Sequence, residues 1–271
     1  MRRKKTNKPE DKGTPEYDFQ KIKKIKSQKG ISEESNVIRL NRFLANAGIC
    51  SRREADELIE SGKIKVNGKL TTALGTKVHR FNDRVVYKGK VISAEKKVYL
   101  LLNKPKDFIT TVKDPKERKT VMELVKNACT ERIYPVGRLD RNTTGLLLFT
   151  NDGSAAKKLT HPSSEVKKIY QVTLSKPLSE NDYDAITNGI ELDDGPIKID
   201  DIAIVSPDNK TIGVELHSGR NRIVRRIFEH LGYEIVSLDR VSFAGLTKKN
   251  LPRGNWRFLT EKEVISLKII K

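Results

Sequence analysis

Asp140 stands in the string Gly137-Arg138-Leu139-Asp140-Arg141-Asn142-Thr143-Thr144-Gly145, with the apolar run Leu146-Leu147-Leu148-Phe149 directly behind it. A lone carboxylate between two arginines keeps its negative charge at neutral pH, and an ionised aspartate on a rigid edge is a usable nucleophile. The same residues also suit an Arg–Asp pair that merely ties a loop to a sheet, and the string alone leaves both readings open. Two other stretches carry chemistry. Tyr170, in Lys167-Lys168-Ile169-Tyr170, offers a flat amphipathic ring that either packs in a core or stacks on a nucleobase. Arg220, Arg222, Arg225 and Arg226 crowd seven positions, as a phosphate-binding face or as ordinary solvated surface.

The elements that must hold these groups follow from apolar spacing. The run after Gly145 ends at the turn signal Asn151-Asp152-Gly153, which predicts a strand buried on both faces with Asp140 at its rim. Alternation over 167–174 predicts a strand with Tyr170 and Val172 on one face. Ile223, Val224, Ile227, Phe228 and Leu231 form a helical stripe closed by Gly232, with Arg222, Arg225, Arg226 and Glu229 on the other side. A buried strand is expected at 98–102, another strand at 109–112, and a brief helix at 121–125. Lys104 and Lys106 are expected in a loop, facing RNA or solvent. Further strands are expected around 197–205 and 211–216. Helices are expected after the capping residues Ser179 and Thr260.

The chain has 271 residues, enough for two modest domains, and its 54 Lys and Arg against 35 Asp and Glu give a formal charge of +19. Such an excess calls for a polyanionic partner. No apolar run approaches a membrane span, and the basic start lacks the apolar core of a signal peptide. Cys50, Cys129 and four scattered histidines show no metal-ligand spacing, and no glycine-rich phosphate loop is present. A reduced, cytoplasmic protein without metal, membrane anchor or small-molecule cofactor is expected, and one small core per domain makes a monomer the expected state.

Residues 1–36 combine charge with few large apolar residues and are expected to be a disordered basic tail. Residues 37–94 read as a separate module. Leu40, Phe43, Leu44 and Ala47 lie at helical spacing up to Gly48, Ser51-x-x-Glu54 is a capping box, and Asn67-Gly68 is a hairpin signal. Its basic residues Arg39, Arg42, Arg52, Arg53, Lys63 and Lys65 are either a solvated surface or an RNA face. A charged link leads to a second domain over 97–271.

The 137–150 string resembles the signature of the RsuA/RluB-type family of ribosomal RNA pseudouridine synthases, and residues 39–69 resemble the RNA-binding domain named after small-subunit ribosomal protein four. The resemblance implies an α+β protein: a small α/β RNA-binding module, then a catalytic domain built on a mainly antiparallel mixed sheet flanked by helices. It implies isomerisation of a uridine in ribosomal RNA, without a cofactor. By it Asp140 is the catalytic carboxylate, Tyr170 stacks on the flipped base and is implicated in proton transfer, and Arg225 pairs with Asp140. Arg138 supports the site, Leu238 lies beneath its floor, and Arg39, Arg42, Arg52, Arg53, Lys63, Arg220 and Arg222 bind RNA. Features of both the RluB and the RluF type are present, so large-subunit (23S) RNA is the expected partner. A small-subunit target and a non-catalytic role in ribosome assembly are the alternatives.

Overall fold

The computed structural model describes residues 14–18 and 36–270. The small module holds strands β1 (Val37–Arg39), β2 (Ile64–Val66), β3 (Lys69–Thr71), β4 (Lys77–His79), β5 (Val85–Tyr87) and β6 (Lys90–Val91), with helices α1 (Leu40–Asn46) and α2 (Arg52–Glu60). The Ser51–Glu54 capping box forms as its spacing predicts and starts α2 after the Gly48 turn. Asn41 donates to Asp56 across the helix pair at 2.9 and 3.1 Å. Leu40, Phe43, Leu44, Ala55, Ile59 and Ile64 fill a core of the module's own.

The second domain runs through β7 (Tyr99–Lys104), α3 (Val121–Val125), β8 (Tyr134–Pro135), β9 (Thr144–Thr150), α4 (Gly153–Thr160), β10 (Lys168–Leu174) and α5 (Glu180–Asn188). It continues through β11 (Ile190–Leu192), β12 (Gly195–Ile197), β13 (Asp201–Ile204), β14 (Thr211–Leu216), α6 (Ile223–His230), β15 (Ile235–Phe243), β16 (Leu246–Thr247), β17 (Trp256–Phe258) and α7 (Glu261–Ile269). Its sheet has the order β13-β14-β10-β15-β9-β7-β17, with β16 on β15 and β8 on β9. All pairs are antiparallel except β15 with β9, which touch through only Asp239–Thr144 and Arg240–Gly145. The mixed, mainly antiparallel sheet expected above is therefore present.

Every residue of β9 is buried. Leu146 and Leu148 face a cluster with Tyr99, Leu101 and Val264, whereas Leu147 and Phe149 face a second one with Leu100, Leu102 and Val121. A third cluster joins β10, β14, α5 and α6 through Val172, Val214, Ile186 and Ile227. The second domain thus has three apolar clusters where one was expected, because its wide sheet is covered on both faces. The strand expected at 109–112 reduces to a single bridge between Ile109 and Thr120.

Most of the 1–36 stretch lies outside the described residues, but 14–18 do not fit a disordered tail. Tyr17 donates its hydroxyl to the Leu259 carbonyl at 3.0 Å and sets its ring edge-on against Tyr99 at 5.5 Å. Burial, with Glu263 nearby, pushes its hydroxyl pKa up to about 12. One aromatic among charges was too little for periodicity to flag, yet it is enough to seat the segment. The 94–97 link is clamped as well: Glu95 donates its N–H to Asn46 O, and Asn151 donates to Glu95 and to Lys96 O.

Asp239 bolts β15 to the β7 side of the sheet. It pairs with Lys248, takes two bonds from Arg253 at 2.9 and 3.0 Å, and accepts from Thr144 at 2.9 Å; Arg253 also reaches Asn103. Burial by itself would raise the Asp239 pKa, but these donors outweigh it and hold the carboxyl at about 2. Because the folded pKa lies below the unfolded one, its stabilisation is complete above the usual carboxylate range and vanishes as pH falls through about 2. Between about pH 4 and 2, Asp239→Asn should flatten the acid-unfolding curve by about 2 kcal/mol, read from urea melts at each pH. Equal slopes for the two proteins would refute this.

Candidate active site

Asp140 sits in the turn before β9, and the backbone of that turn is gripped from beneath. Lys104, the last residue of β7, is fully buried. Its Nζ donates to the carbonyls of Thr143 at 2.8 Å and of Pro105, Asp140 and Arg141 at 3.1 Å. The expected RNA-facing or solvated lysine is instead the internal cation of the Asp140 turn. Burial lowers its pKa to about 8, with Asp140 and Asp107 opposing, so it stays charged at neutral pH. Thr110 Oγ1 donates to Leu139 O at 2.7 Å, and Asp107 N–H donates to Arg141 O at 3.0 Å, which completes the frame. Lys104→Met removes the donor and leaves buried carbonyls unpaired. We expect a loss of about 3 kcal/mol in stability, and a larger fall in kcat than rise in KM; an unchanged kcat would contradict this role.

Gly145, the second residue of β9, has φ +105°, and a Cβ there would lie 2.3 Å from Arg240 O and 2.6 Å from Arg240 N. Its glycine is what lets β9 and β15 touch. On the other flank, α6 presents Arg225 because Ile223, Val224, Ile227 and Phe228 are buried on the opposite side. Arg225 Nε lies 3.7 Å from Asp140 Oδ2, and its Nη2 reaches Thr143 Oγ1 at 3.5 Å. Burial and then Arg222 lower the Arg225 pKa from its ordinary value, with Asp140 working the other way. An arginine remains protonated throughout.

Arg222, expected on the RNA face, is also drawn to the carboxylate: its Nη1 lies 3.7 Å from Asp140 Oδ2 and its Nη2 3.2 Å from Glu229. A left-handed backbone at φ 48° just before α6 turns it inward, and spacing cannot report such a conformation. Arg220 bonds Gly195 O at 3.0 Å and lies 3.4 Å from Asp194, which Arg226 also clamps. Its guanidinium is thus committed to the β11–β12 turn while still bordering the pocket.

One pocket joins the site. Arg138, Asp140, Tyr170, Arg225 and Leu238 line it, as do Arg220 and Arg222. Arg138 is exposed at its edge, and Leu238 is buried opposite Val172 in the floor. Half-buried Tyr170 is paired across the sheet with Arg240, a lining residue that sequence reasoning passed over. In the small module, Arg39, Arg42 and Arg52 gather in a shallow concavity with Lys77, which the β1–β4 pairing places opposite Arg39. Arg53 and Lys63 are exposed but lie outside it. Among the described residues no helix is long and apolar enough to cross a membrane.

The arrangement offers a charged carboxylate beside two guanidinium groups, a tyrosine ring for stacking and an apolar floor. Comparison with known proteins bears on it directly. Residues 98–230 match the model of the RNA pseudouridylate synthase family, and 38–85 match the S4 domain model. The chain is 42% identical over 236 residues to ribosomal large subunit pseudouridine synthase B of Bacillus subtilis, covering 86% of this chain and 96% of the relative. It is 35% identical to the dual-specificity RNA pseudouridine synthase RluF of Escherichia coli, covering 85% and 78%. A solved structure of a pseudouridylate synthase superposes with a TM-score of 0.60 at 27% identity, over 85% of this chain and 99% of that one.

Proposed function

Because the chain belongs to the RNA pseudouridylate synthase family, isomerases that here act on ribosomal RNA, we propose that its target is a uridine of the large-subunit RNA and that Asp140 is its nucleophile. The observation behind the chemistry is the 3.7 Å approach of Arg225 to Asp140 in a pocket that Tyr170 shares.

The reaction breaks the bond from ribose C1′ to ring N1 and makes one from C1′ to ring C5; C5 gives up a proton and N1 gains one. Nothing is oxidised or reduced, so the reaction calls for no redox partner. Attack on C1′, addition to the base and removal of the 2′ proton all need an anionic carboxylate against the nucleoside. Arg225 and Arg222 steady that charge and limit its rotamers. Tyr170 stacks on the extruded uracil, offsetting part of the cost of taking it out of its helix, and stands near the proton that leaves C5. Arg39, Arg42 and Arg52, with Arg53 and Lys63, hold the surrounding RNA through its phosphates, and Arg138 and Arg220 border the strand at the pocket. The S4 module positions the substrate by shape and charge, and the reaction takes place in the cytoplasm on one chain acting as a monomer.

Large-subunit RNA is favoured over the small-subunit alternative by the name of the Bacillus subtilis relative. Chemical labelling of pseudouridine in ribosomal RNA from a strain lacking this protein checks the assignment. One site in large-subunit RNA should vanish and return with the intact gene. A site lost from small-subunit RNA instead, or none lost from either, would overturn it.

A further inference from the structure

The floor of the pocket holds two cations that the chemistry above does not use. Lys168 and Tyr170 lie on the same face of β10, and Arg240 sits across from Tyr170 on β15. Both cations line the pocket. Lys168 Nζ donates to His217 O at 2.5 Å and Ser218 O at 3.3 Å, in the loop that leads to α6. Arg240 is 3% exposed. Its Nε donates to Leu146 O at 2.8 Å, its guanidinium lies 4.6 Å from the Phe243 ring centroid, and its buried Nη2 has no hydrogen-bond partner among the described residues.

No carboxylate forms an ion pair with either group among the described residues, and Asp200, the acid felt by Lys168, is bonded to His217 at 2.7 Å. Burial and then Arg240 lower the Lys168 pKa to about 8. Burying a cation is costly, and bonds to neutral carbonyls return only part of that cost. A neutral uracil edge therefore leaves most of this cost standing, and an anion removes it. A guanidinium with an unpaired Nη2, lining the same pocket as an ammonium, matches the oxygens of a phosphate.

We propose that Lys168 and Arg240 form an anion subsite in the pocket floor that takes one phosphodiester flanking the uridine to be isomerised. The identity of this anion rests on the function proposed above.

The test uses the full chain and a large-subunit RNA hairpin whose linkage on the 5′ or the 3′ side of the target uridine is a neutral methylphosphonate. Tritium release from C5 gives kcat/KM, and fluorescence anisotropy gives Kd. The wild-type protein should lose about tenfold or more in kcat/KM and Kd at one of the two linkages, the size expected for a charge-assisted contact. Arg240→Gln and Lys168→Met should show a comparable loss on all-phosphate RNA and little further loss on that methylphosphonate. A wild-type protein indifferent to both linkages overturns the subsite, even if Arg240→Gln fails to fold. So do variant losses that add in full to the methylphosphonate loss, as a contact to the uracil edge or a purely structural role would give. If tritium release is absent while the linkage dependence of Kd persists, the catalytic reading fails and the subsite stands.

Discussion

Asp140→Asn is expected to abolish tritium release from C5 of the target uridine, by about ten-thousandfold or more, while RNA affinity stays within about threefold. The amide has the shape of the carboxylate but not its charge, so it cannot serve any of the three routes by which the C1′–N1 bond is broken. Folding should be spared. The Asp140 side chain is 42% exposed, and its ion pairs with Arg222 and Arg225 are both 3.7 Å long. Ion pairs this long, with one partner open to solvent, contribute about 1 kcal/mol. The turn itself is held by Lys104 through backbone carbonyls, which the substitution does not touch. Binding should even tighten slightly, because one negative charge is removed from a pocket proposed to face RNA. Retention of more than a few per cent of the wild-type rate, in a variant with a normal melting curve, would remove Asp140 from the chemistry.

The largest structural effect is expected at Gly145. Alanine there would put its Cβ 2.3 and 2.6 Å from the Arg240 backbone and 2.6 Å from Asp239 Oδ1, at a φ of +105° that side chains rarely adopt. Overpacking and backbone strain together should cost about 4 kcal/mol and lower Tm by about 10 °C. The obstructing atoms are mostly backbone, so no rotamer change relieves the clash. The two strands would have to part where β15 meets β9, and the Asp239 cluster would loosen with them. A Gly145→Ala protein that melts within about 2 °C of wild type would show that the sheet has slack at this point, against the close approach described here.

Much of this architecture was legible in the sequence, for identifiable reasons. The 144–150 strand announced itself by an unbroken apolar run, α2 by its capping box and α6 by its stripe. The proposed catalytic trio of Asp140, Tyr170 and Arg225 was legible only through resemblance, since an R-x-D triplet, a strand tyrosine and an arginine-rich helix each have a commonplace reading. Other features were hidden in principle. Lys104 follows Asn103 at the end of a leucine run and precedes a proline, so it reads as the solvated end of a strand. Its burial depends on four carbonyls, three of them some forty positions away. Arg222 reads as one more surface cation until a single left-handed residue turns it towards Asp140. Tyr17 stands in a stretch whose composition argues for disorder, and its contacts with Tyr99 and Leu259 decide otherwise. Each depends on a long-range meeting of the chain that local pattern cannot encode.

The contact of β15 with β9 is a short joint within the main sheet. Two residue pairs join there, whereas β7 with β9 and β10 with β14 each share six. Asp140 belongs to one half of the sheet and Arg225 to the other, so this short seam lies beneath the gap between them. A joint with so few ladder bonds is expected to yield before its neighbours do, and the Asp239 bracket across it to limit its opening. The rate of the enzyme should therefore register disturbances of that bracket that leave Asp140, Tyr170 and Arg225 in place.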